Sequence, residues 1–205
     1  MVNLLRTLLS LVVPAIVPSR SGTVSESTTT LDNLQTAFNG ESNAEARDLA
    51  FARKADEEGY SNVAGLFRAA AKAEAIHARN HAAVIEKMGA VPAVKLGSVE
   101  VKTTRKNLIA ATEGEKYERD TMYPEFIEAA RRDNAKAAIR SFTYALKVEA
   151  VHAVLYQDAL DNLEKRKGKG HTYYVCPDCG NTLEDLTILK CLICGHSRDG
   201  FLAVN

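Results

Sequence analysis

Glu74-Ala-Ile-His77 recurs as Glu149-Ala-Val-His152, and the reading of these two stretches decides the fold. Each sets a carboxylate and an imidazole three residues apart. On a helix, residues three apart share a face, so both side chains reach one metal ion. The flanking segments, Ala69 to His77 and Leu146 to His152, are rich in Ala, Val, Ile and Leu and favour a buried helix. A carboxylate and a His on a mostly apolar face need a partner, and a metal ion is the economical one. Two Glu-x-x-His helices, with one glutamate from each of two further helices, form the ligand set of a di-metal site in a four-helix bundle.

The spacing strengthens that reading. Glu41 lies 33 residues before Glu74, and Glu115 lies 34 residues before Glu149. A shift of 74 or 75 residues lays Glu41 on Glu115, Glu74 on Glu149 and His77 on His152, the mark of a duplicated helical hairpin. Antiparallel helices that bring their glutamates level must turn midway. The first midpoint falls in Asp56-Glu-Glu-Gly-Tyr-Ser-Asn62, where Gly59 is a helix stop, and the second in Arg131-Arg-Asp-Asn134. Each arm is then about 16 residues, or about 25 Å.

The rest of the chain is read around this hairpin pair. The first helix is predicted from Leu31 to Glu58, capped by Thr29 or Thr30, and the second from Ser61 to Met88. Gly89 to Gly97 is not helical, and its extended reach of about 30 Å suits the single long crossover of a ferritin-like bundle. Ser98 is the expected cap of a third helix running to Asp133, kinked at Pro124. The fourth is predicted from Asn134 to Arg166. The expected fold is therefore mainly α, with a bundle over residues 31–166, a linker at 167–172 and a small tail domain at 173–205. The basic run Lys165-Arg-Lys-Gly-Lys-Gly170 reads either as a docking patch for an acidic redox partner or as a solvated linker, and the linker is favoured.

Composition bounds the function. The 205 residues carry 26 basic and 26 acidic side chains, so no net charge points to nucleic acid or an anionic membrane. Residues 1–30 stand apart. A short apolar run from Leu4 to Val13, too short to span a bilayer, is followed by Pro14, Pro18 and a Ser/Thr-rich stretch. This segment reads equally as a targeting sequence, a disordered extension or an over-long start. Elsewhere the cysteine usage implies a reducing, cytoplasmic setting. All four cysteines fall at 176, 179, 191 and 194, as two CxxCG knuckles, where disulfides are the lesser reading. Glycine after each second cysteine permits a tight turn. Four thiolates suit tetrahedral iron, as a one-electron relay, or zinc, as a structural ribbon, and the ligands do not separate the two.

The candidate bundle ligands are Glu41, Glu74, His77, Glu115, Glu118, Glu149 and His152. Mixed carboxylate and imidazole ligation suits iron or manganese, with two ions roughly 3.5–4 Å apart. Singly, each Glu reads as a solvated helix face and each His as a hydrogen-bonded core residue; together the pattern outweighs those readings. His81, one turn after His77, reads as support for a ligand or, preferably, as exposed. Tyr117 and Tyr123 share a helix with Glu115, and Tyr123 is read as a hydrogen-bond donor to a ligand or to bound peroxide, with plain packing as the equal alternative.

Phe38-Asn-Gly-Glu41, Glu74-x-x-His77, Glu115-x-x-Glu118 followed by Met122-Tyr-Pro124, Glu149-x-x-His152 and the two knuckles together resemble the rubrerythrin family over residues 31–205. The resemblance implies a ferritin-like di-iron bundle with a C-terminal rubredoxin-like domain. It implies a peroxidase that reduces hydrogen peroxide to water, using two irons at the bundle residues and one at Cys176, Cys179, Cys191 and Cys194. Glu118 and His77 would exchange as ligands of one iron. Electrons would come from NADH through a rubredoxin or a reductase. A homodimer or larger assembly would bring the tail of one subunit to the di-iron site of another. Three departures stand out: Asp48 where the family often has Tyr, no Pro in the second knuckle, and the N-terminal extension. The competing reading is a ferritin-like protein of iron oxidation and storage with a structural zinc tail. A tail on every subunit makes a cage awkward, and Glu118 is not expected in simple ferritins. A metal-binding scaffold without turnover is the third and weakest reading.

Overall fold

The computed structural model describes residues 28–205, so the N-terminal segment up to residue 27, and the expectations placed on it, lie outside the described residues. Five α-helices build the bundle: α1 (Thr30–Glu57), α2 (Ser61–Lys87), α3 (Thr104–Tyr117), α4 (Tyr123–Arg132) and α5 (Lys136–Asp161). α3 and α4 are two halves of the expected third helix, joined through a π-helical turn at Glu118–Met122. A 3-10 turn at Leu163–Arg166 leads into the tail. There β1 (Tyr173–Val175) pairs antiparallel with both β2 (Thr182–Leu183) and β3 (Leu202–Val204).

The helix ends follow from local chemistry. α1 opens on a capping box, in which Thr29 Oγ1 accepts from Asp32 N–H and the Asp32 carboxylate accepts from Thr29 N–H. Gly59 ends the α1 hairpin arm at φ +80°, and Tyr60 N–H donates to the Ala55 carbonyl at 2.8 Å. At the second hairpin Asn134 stands at φ +54°, and Ala135 N–H donates to the Ala130 carbonyl at 2.8 Å. Left-handed backbone suits Gly and is tolerated by Asn. Residues 59 and 134 are separated by the same 75-residue shift that lays Glu74 on Glu149, so the duplication extends to the turns.

The crossover, residues 88–103, runs extended along α1. Gln35, Asn39 and Asn43 hold it with their side-chain carbonyls, which accept from the N–H of Ala93 (3.1 Å), Lys95 (2.7 Å) and Gly97 (2.8 Å). Four helical residues rise about 6.0 Å, and two extended residues rise about 6.6 Å. Steps of four on the helix therefore match steps of two on the crossover. This ladder keeps the chain extended past Ser98, which does not cap the third helix as expected. Thr103 does so, accepting from Lys106 N–H, and α3 begins at Thr104.

Pro124 does not kink an α-helix in mid-course, as the sequence suggests. It lies in the first turn of α4, where a missing N–H leaves nothing unpaired, and the π turn before it absorbs the change of register. α5 ends at Asp161, five residues short of the expected Arg166. Arg166 is not part of a solvated linker either. Its guanidinium is largely buried and bonds Asn62 Oδ1 (2.7 Å), the Tyr173 hydroxyl (3.1 Å), Glu184 (3.1 Å) and Asp158, pinning tail to bundle.

Two apolar plugs bracket the bundle interior. One packs Leu34, Ile85, Tyr123 and Phe142; the other packs Phe51, Phe67, Leu108 and Tyr156 with the tail's Tyr173 and Val175. Every helix of the hairpin pair carries its glutamate between its contributions to the two plugs: Glu41 between Leu34 and Phe51, Glu149 between Phe142 and Tyr156. Removing the crossover ladder with Gln35→Ala/Asn39→Ala/Asn43→Ala speeds amide hydrogen exchange at Ala93, Lys95 and Gly97 by roughly fivefold or more, while α1 amides keep their protection. Hydrogen-exchange mass spectrometry checks this, and unchanged exchange in the crossover contradicts it.

Candidate metal centre

Six of the seven candidate bundle residues converge. Glu41, Glu74, His77 and Glu149 form one quartet, and Glu74, Glu115, Glu149 and His152 form a second, with ligand atoms in each within 4.8 Å of one another. Glu74 and Glu149 belong to both, the position of bridging carboxylates. His77 Nδ1 lies 2.9 Å from Glu149 and 3.0 Å from Glu74, and His152 Nδ1 lies 3.1 Å from Glu149 and 3.3 Å from Glu74. All six side chains are buried. Glu118 is half-buried at the start of the π turn and enters neither quartet.

The site is built for cations. Glu41 Oε2, Glu74 Oε1, both oxygens of Glu115 and of Glu149, and His152 Nδ1 accept or donate no hydrogen bond. Buried polar atoms left this way are costly unless a metal takes them. Burial, then the neighbouring carboxylates, pushes Glu41, Glu115 and Glu118 well above the ordinary carboxylate range. Burial alone would raise Glu74 too, but the His152 and His77 imidazoles beside it hold it well below that range. Burial works against charge on both imidazoles, yet the surrounding carboxylates raise His77 and bring His152 up to about 9.

The tail fixes how both imidazoles present themselves. His77 Nε2–H donates to the Cys179 carbonyl at 3.1 Å. His152 Nε2 lies 3.0 Å from Thr182 Oγ1, whose own proton goes to the Gly180 carbonyl at 3.0 Å. Thr182 therefore accepts from His152 Nε2–H. Each Nε2 is committed as a donor, which leaves each Nδ1 lone pair for a metal. Gly180 makes the approach possible: at φ +82°, a Cβ there would stand 2.7 Å from His77 Nε2.

Around this centre the structure corrects some expectations. His81 is fully buried rather than exposed, and burial takes its pKa down to about 3, so the ring is neutral. Ser141 Oγ lies 2.8 Å from His81 Nδ1, His81 Nε2 lies 3.1 Å from the Tyr123 hydroxyl, and that hydroxyl donates to Glu41. Tyr123 thus bonds a candidate ligand, while Tyr117 is exposed and outside the site. Asp48, standing where a Tyr was the expectation, is buried and accepts from the Tyr156 hydroxyl at 2.8 Å. A phenol is present at that flank, delivered from α5 instead of α1. Ser141, Tyr156 and Thr182 carried no signal in the sequence; Gly180 did, as the glycine of the first knuckle.

In the tail, Cys176, Cys179, Cys191 and Cys194 bring their sulfurs within 4.8 Å of one another. The Cys176–Cys194 and Cys179–Cys191 sulfurs are 3.5 Å apart, too far for disulfides and close to the roughly 3.8 Å edge of a tetrahedral thiolate site. Gly180 and Gly195 take φ +82° and +85° in equivalent turns. Hydrogen bonding from Cys179 draws Cys176 down to about 5, a thiolate ready for a metal.

A four-helix bundle with one long crossover, an interior carboxylate–imidazole pair of quartets and a four-thiolate tail defines a ferritin-like di-iron protein with a rubredoxin-like domain. A match to the rubrerythrin family spans residues 32–160. The chain belongs to that family. It is 41% identical to Rubrerythrin-2 of Clostridium acetobutylicum over 179 residues, covering 85% of this chain and 96% of that protein. It is 36% identical to nigerythrin of Nitratidesulfovibrio vulgaris over 177 residues, covering 85% and 86%. The fully reduced, all-ferrous structure of nigerythrin superposes with a TM-score of 0.79 at 34% identity, covering 94% of this chain and 100% of that one. The bacterioferritin of Desulfovibrio desulfuricans, at 18% identity and a TM-score of 0.65 over 69% of this chain and 88% of that one, shares the fold. The chain carries a di-iron site in its bundle and a second metal site at its cysteines. Among the described residues, no helix is long and apolar enough to cross a membrane.

Two outcomes follow from this geometry. Groups with raised pKa values keep their protons to higher pH, and bound cations expel them. Ferrous-ion affinity of the bundle therefore rises with pH, about tenfold per unit for each proton released. Calorimetric titration in buffers of different ionisation heat reads that release directly, and a proton-neutral uptake contradicts it. Gly180→Ala forces a side chain into a left-handed turn and into His77, and destabilises the metal-loaded chain by about 1–3 kcal/mol. Chemical denaturation of the zinc-loaded protein measures it.

Proposed function

We propose that the chain is a non-haem di-iron peroxidase that reduces hydrogen peroxide to water, with electrons relayed through an iron held by Cys176, Cys179, Cys191 and Cys194. The reaction takes one peroxide, two electrons and two protons to two waters. The observation that carries the reading is the His77 ring. Its Nδ1 faces Glu149 and Glu74 while its Nε2–H holds the Cys179 carbonyl, so one imidazole links the two metal sites. A storage protein has no need of that link, and a structural ribbon would not need to reach a candidate ligand.

When bound, the iron pair supplies the two electrons for cleavage of the O–O bond. The side chains do the rest. Glu74 and Glu149, shared by both quartets, would be held in common by the two ions, Glu41 and Glu115 would each serve one, and His152 would offer Nδ1. Glu118, outside the quartets beside the π turn, is the carboxylate that would alternate with His77. A π turn has looser hydrogen bonding than an α turn, which suits a ligand that moves. Tyr123 orients Glu41 by donating to it. The division of labour falls between the bundle, 31–166, and the tail, 173–205, joined at 167–172. The donor is a rubredoxin or an NADH-linked reductase, the assembly is a homodimer or larger, and the free thiolates fit a cytoplasmic setting.

The test is anaerobic. Reduced, iron-loaded full-length protein should reoxidise its tail iron on addition of peroxide, read by the visible bands of ferric thiolate. Glu149→Ala should drop the iron content from about three per chain to about one and abolish that reoxidation while the tail still binds iron. Cys176→Ser should empty the tail and stop donor-coupled turnover. Zinc in the tail, with iron accumulating far above three per chain, would establish the storage reading instead.

A further inference from the structure

Peroxide reduction consumes protons at a centre enclosed between two apolar plugs, so they need a route. A cleft of about 390 Å³ opens where the tail's first knuckle meets the bundle, lined by Arg79, Asn80, Lys87, Arg140, Ser141 and Asp178. Ser141 sits on its floor. From there the hydrogen bonds run without a break: Ser141 Oγ to His81 Nδ1 at 2.8 Å, His81 Nε2 to the Tyr123 oxygen at 3.1 Å, and the Tyr123 hydroxyl to Glu41. Ser141, His81, Tyr123 and Glu41 are all buried. The direction of the chain is fixed from its inner end. Tyr123 spends its only proton on Glu41, so it accepts from His81 Nε2–H. With one proton on the ring, placed on Nε2, Nδ1 is the acceptor that faces the Ser141 hydroxyl at 2.8 Å. Every donor points inward.

We propose that Ser141, His81 and Tyr123 form a proton wire that carries protons from the cleft to Glu41. The proposal rests on the peroxidase reading above. One passage moves four protons by one place each. A cleft water or acid protonates Ser141 Oγ, the Ser141 proton passes to His81 Nδ1, the His81 Nε2 proton passes to Tyr123, and the Tyr123 proton passes to the Glu41 carboxylate. The net result is one proton lost from the cleft and one gained at Glu41. The ring is left as the Nδ1–H tautomer, and exchange of its N–H protons with water, one lost at Nδ1 and one gained at Nε2, returns it before the second proton. None of the three is a ligand; they act through Glu41.

The test has two arms. In the first, the zinc-loaded full-length chain, whose cations keep Glu41 ionised, is labelled with 15N-histidine. The wire requires His81 to be neutral with its proton on Nε2, and a proton on Nδ1 would break the inward direction and overturn the proposal. In the second, wild type, Ser141→Ala and His81→Gln are loaded with iron, checked for equal metal content, reduced, and mixed with peroxide in stopped flow. Both variants should reoxidise at least about tenfold more slowly, with a larger solvent deuterium isotope effect. Imidazole or formic acid added to the buffer should restore Ser141→Ala, a rescue that a packing defect would not show. Unchanged rates in variants of an active wild type overturn the wire and leave the peroxidase reading standing. A wild type that consumes no peroxide removes the peroxidase reading, and the wire's direction is then still decided by the histidine spectrum.

Discussion

Glu41, Glu74, Glu115 and Glu149 bring four carboxylates into one interior shell, and this concentration of negative charge governs the molecule. Two like charges 4 Å apart repel by about 4 kcal/mol even at an effective dielectric of 20. Two imidazoles, even when both carry a proton, offset only two of the four negative charges. Protonation is the partial remedy of the empty chain, as the raised pKa values of Glu41 and Glu115 show. A pair of divalent cations is the full one. The surrounding fold then has one task, which is to hold four helices so that the carboxylates neither escape to water nor spread apart. Alanines do this at Ala37, Ala44, Ala70, Ala73, Ala111 and Ala145, where larger side chains would separate the helices.

The tail completes the centre as well as adding a second metal. Without the Cys179 carbonyl and Thr182 hydroxyl, the two imidazoles would be free to turn and to offer either nitrogen. The side chain of Arg166, the close fit of Gly65 against His171 and the contact of Gly180 with His77 fix the tail's position on α2. Tail placement and ligand geometry are thus one constraint. A displacement at the knuckle would be felt at His77.

Much of this was legible in the sequence because of how helices repeat. Three-residue spacing sets Glu74 beside His77, the 75-residue shift pairs the hairpins, and equal arm lengths place the turns at Gly59 and Asn134. Each is a one-dimensional consequence of helix geometry. What was not legible depends on contacts between elements distant in the chain. His81 read as exposed because one helix alone does not reveal that α5 covers it with Ser141 and Phe142. The start of α3 was misplaced because the ladder from Gln35, Asn39 and Asn43 competes with helix formation after Ser98. Pro124 signalled an irregularity, but only the packed bundle decides that it takes the form of a π turn. The basic run at 165–170 read as solvent-facing since nothing local shows Asn62 and Tyr173 waiting for Arg166.

On the proposed peroxidase reading, the arrangement also separates the traffic of charge. His77 joins the centre to the tail through α2, and the Ser141–His81–Tyr123 chain reaches Glu41 from the cleft beside the same knuckle. Both routes begin at the bundle–tail junction, and both pass through imidazoles one helical turn apart on α2. His77 turns toward Glu149 and the tail; His81 turns toward Tyr123 and α5. One helix therefore supplies a ring for each route, four residues apart on one face, with the apolar plug around Tyr123 and Phe142 keeping bulk water from the inner end of the second. A reduction that must deliver electrons and protons together to an enclosed centre gains from having both enter at one place, because docking of the tail then sets the two distances at once.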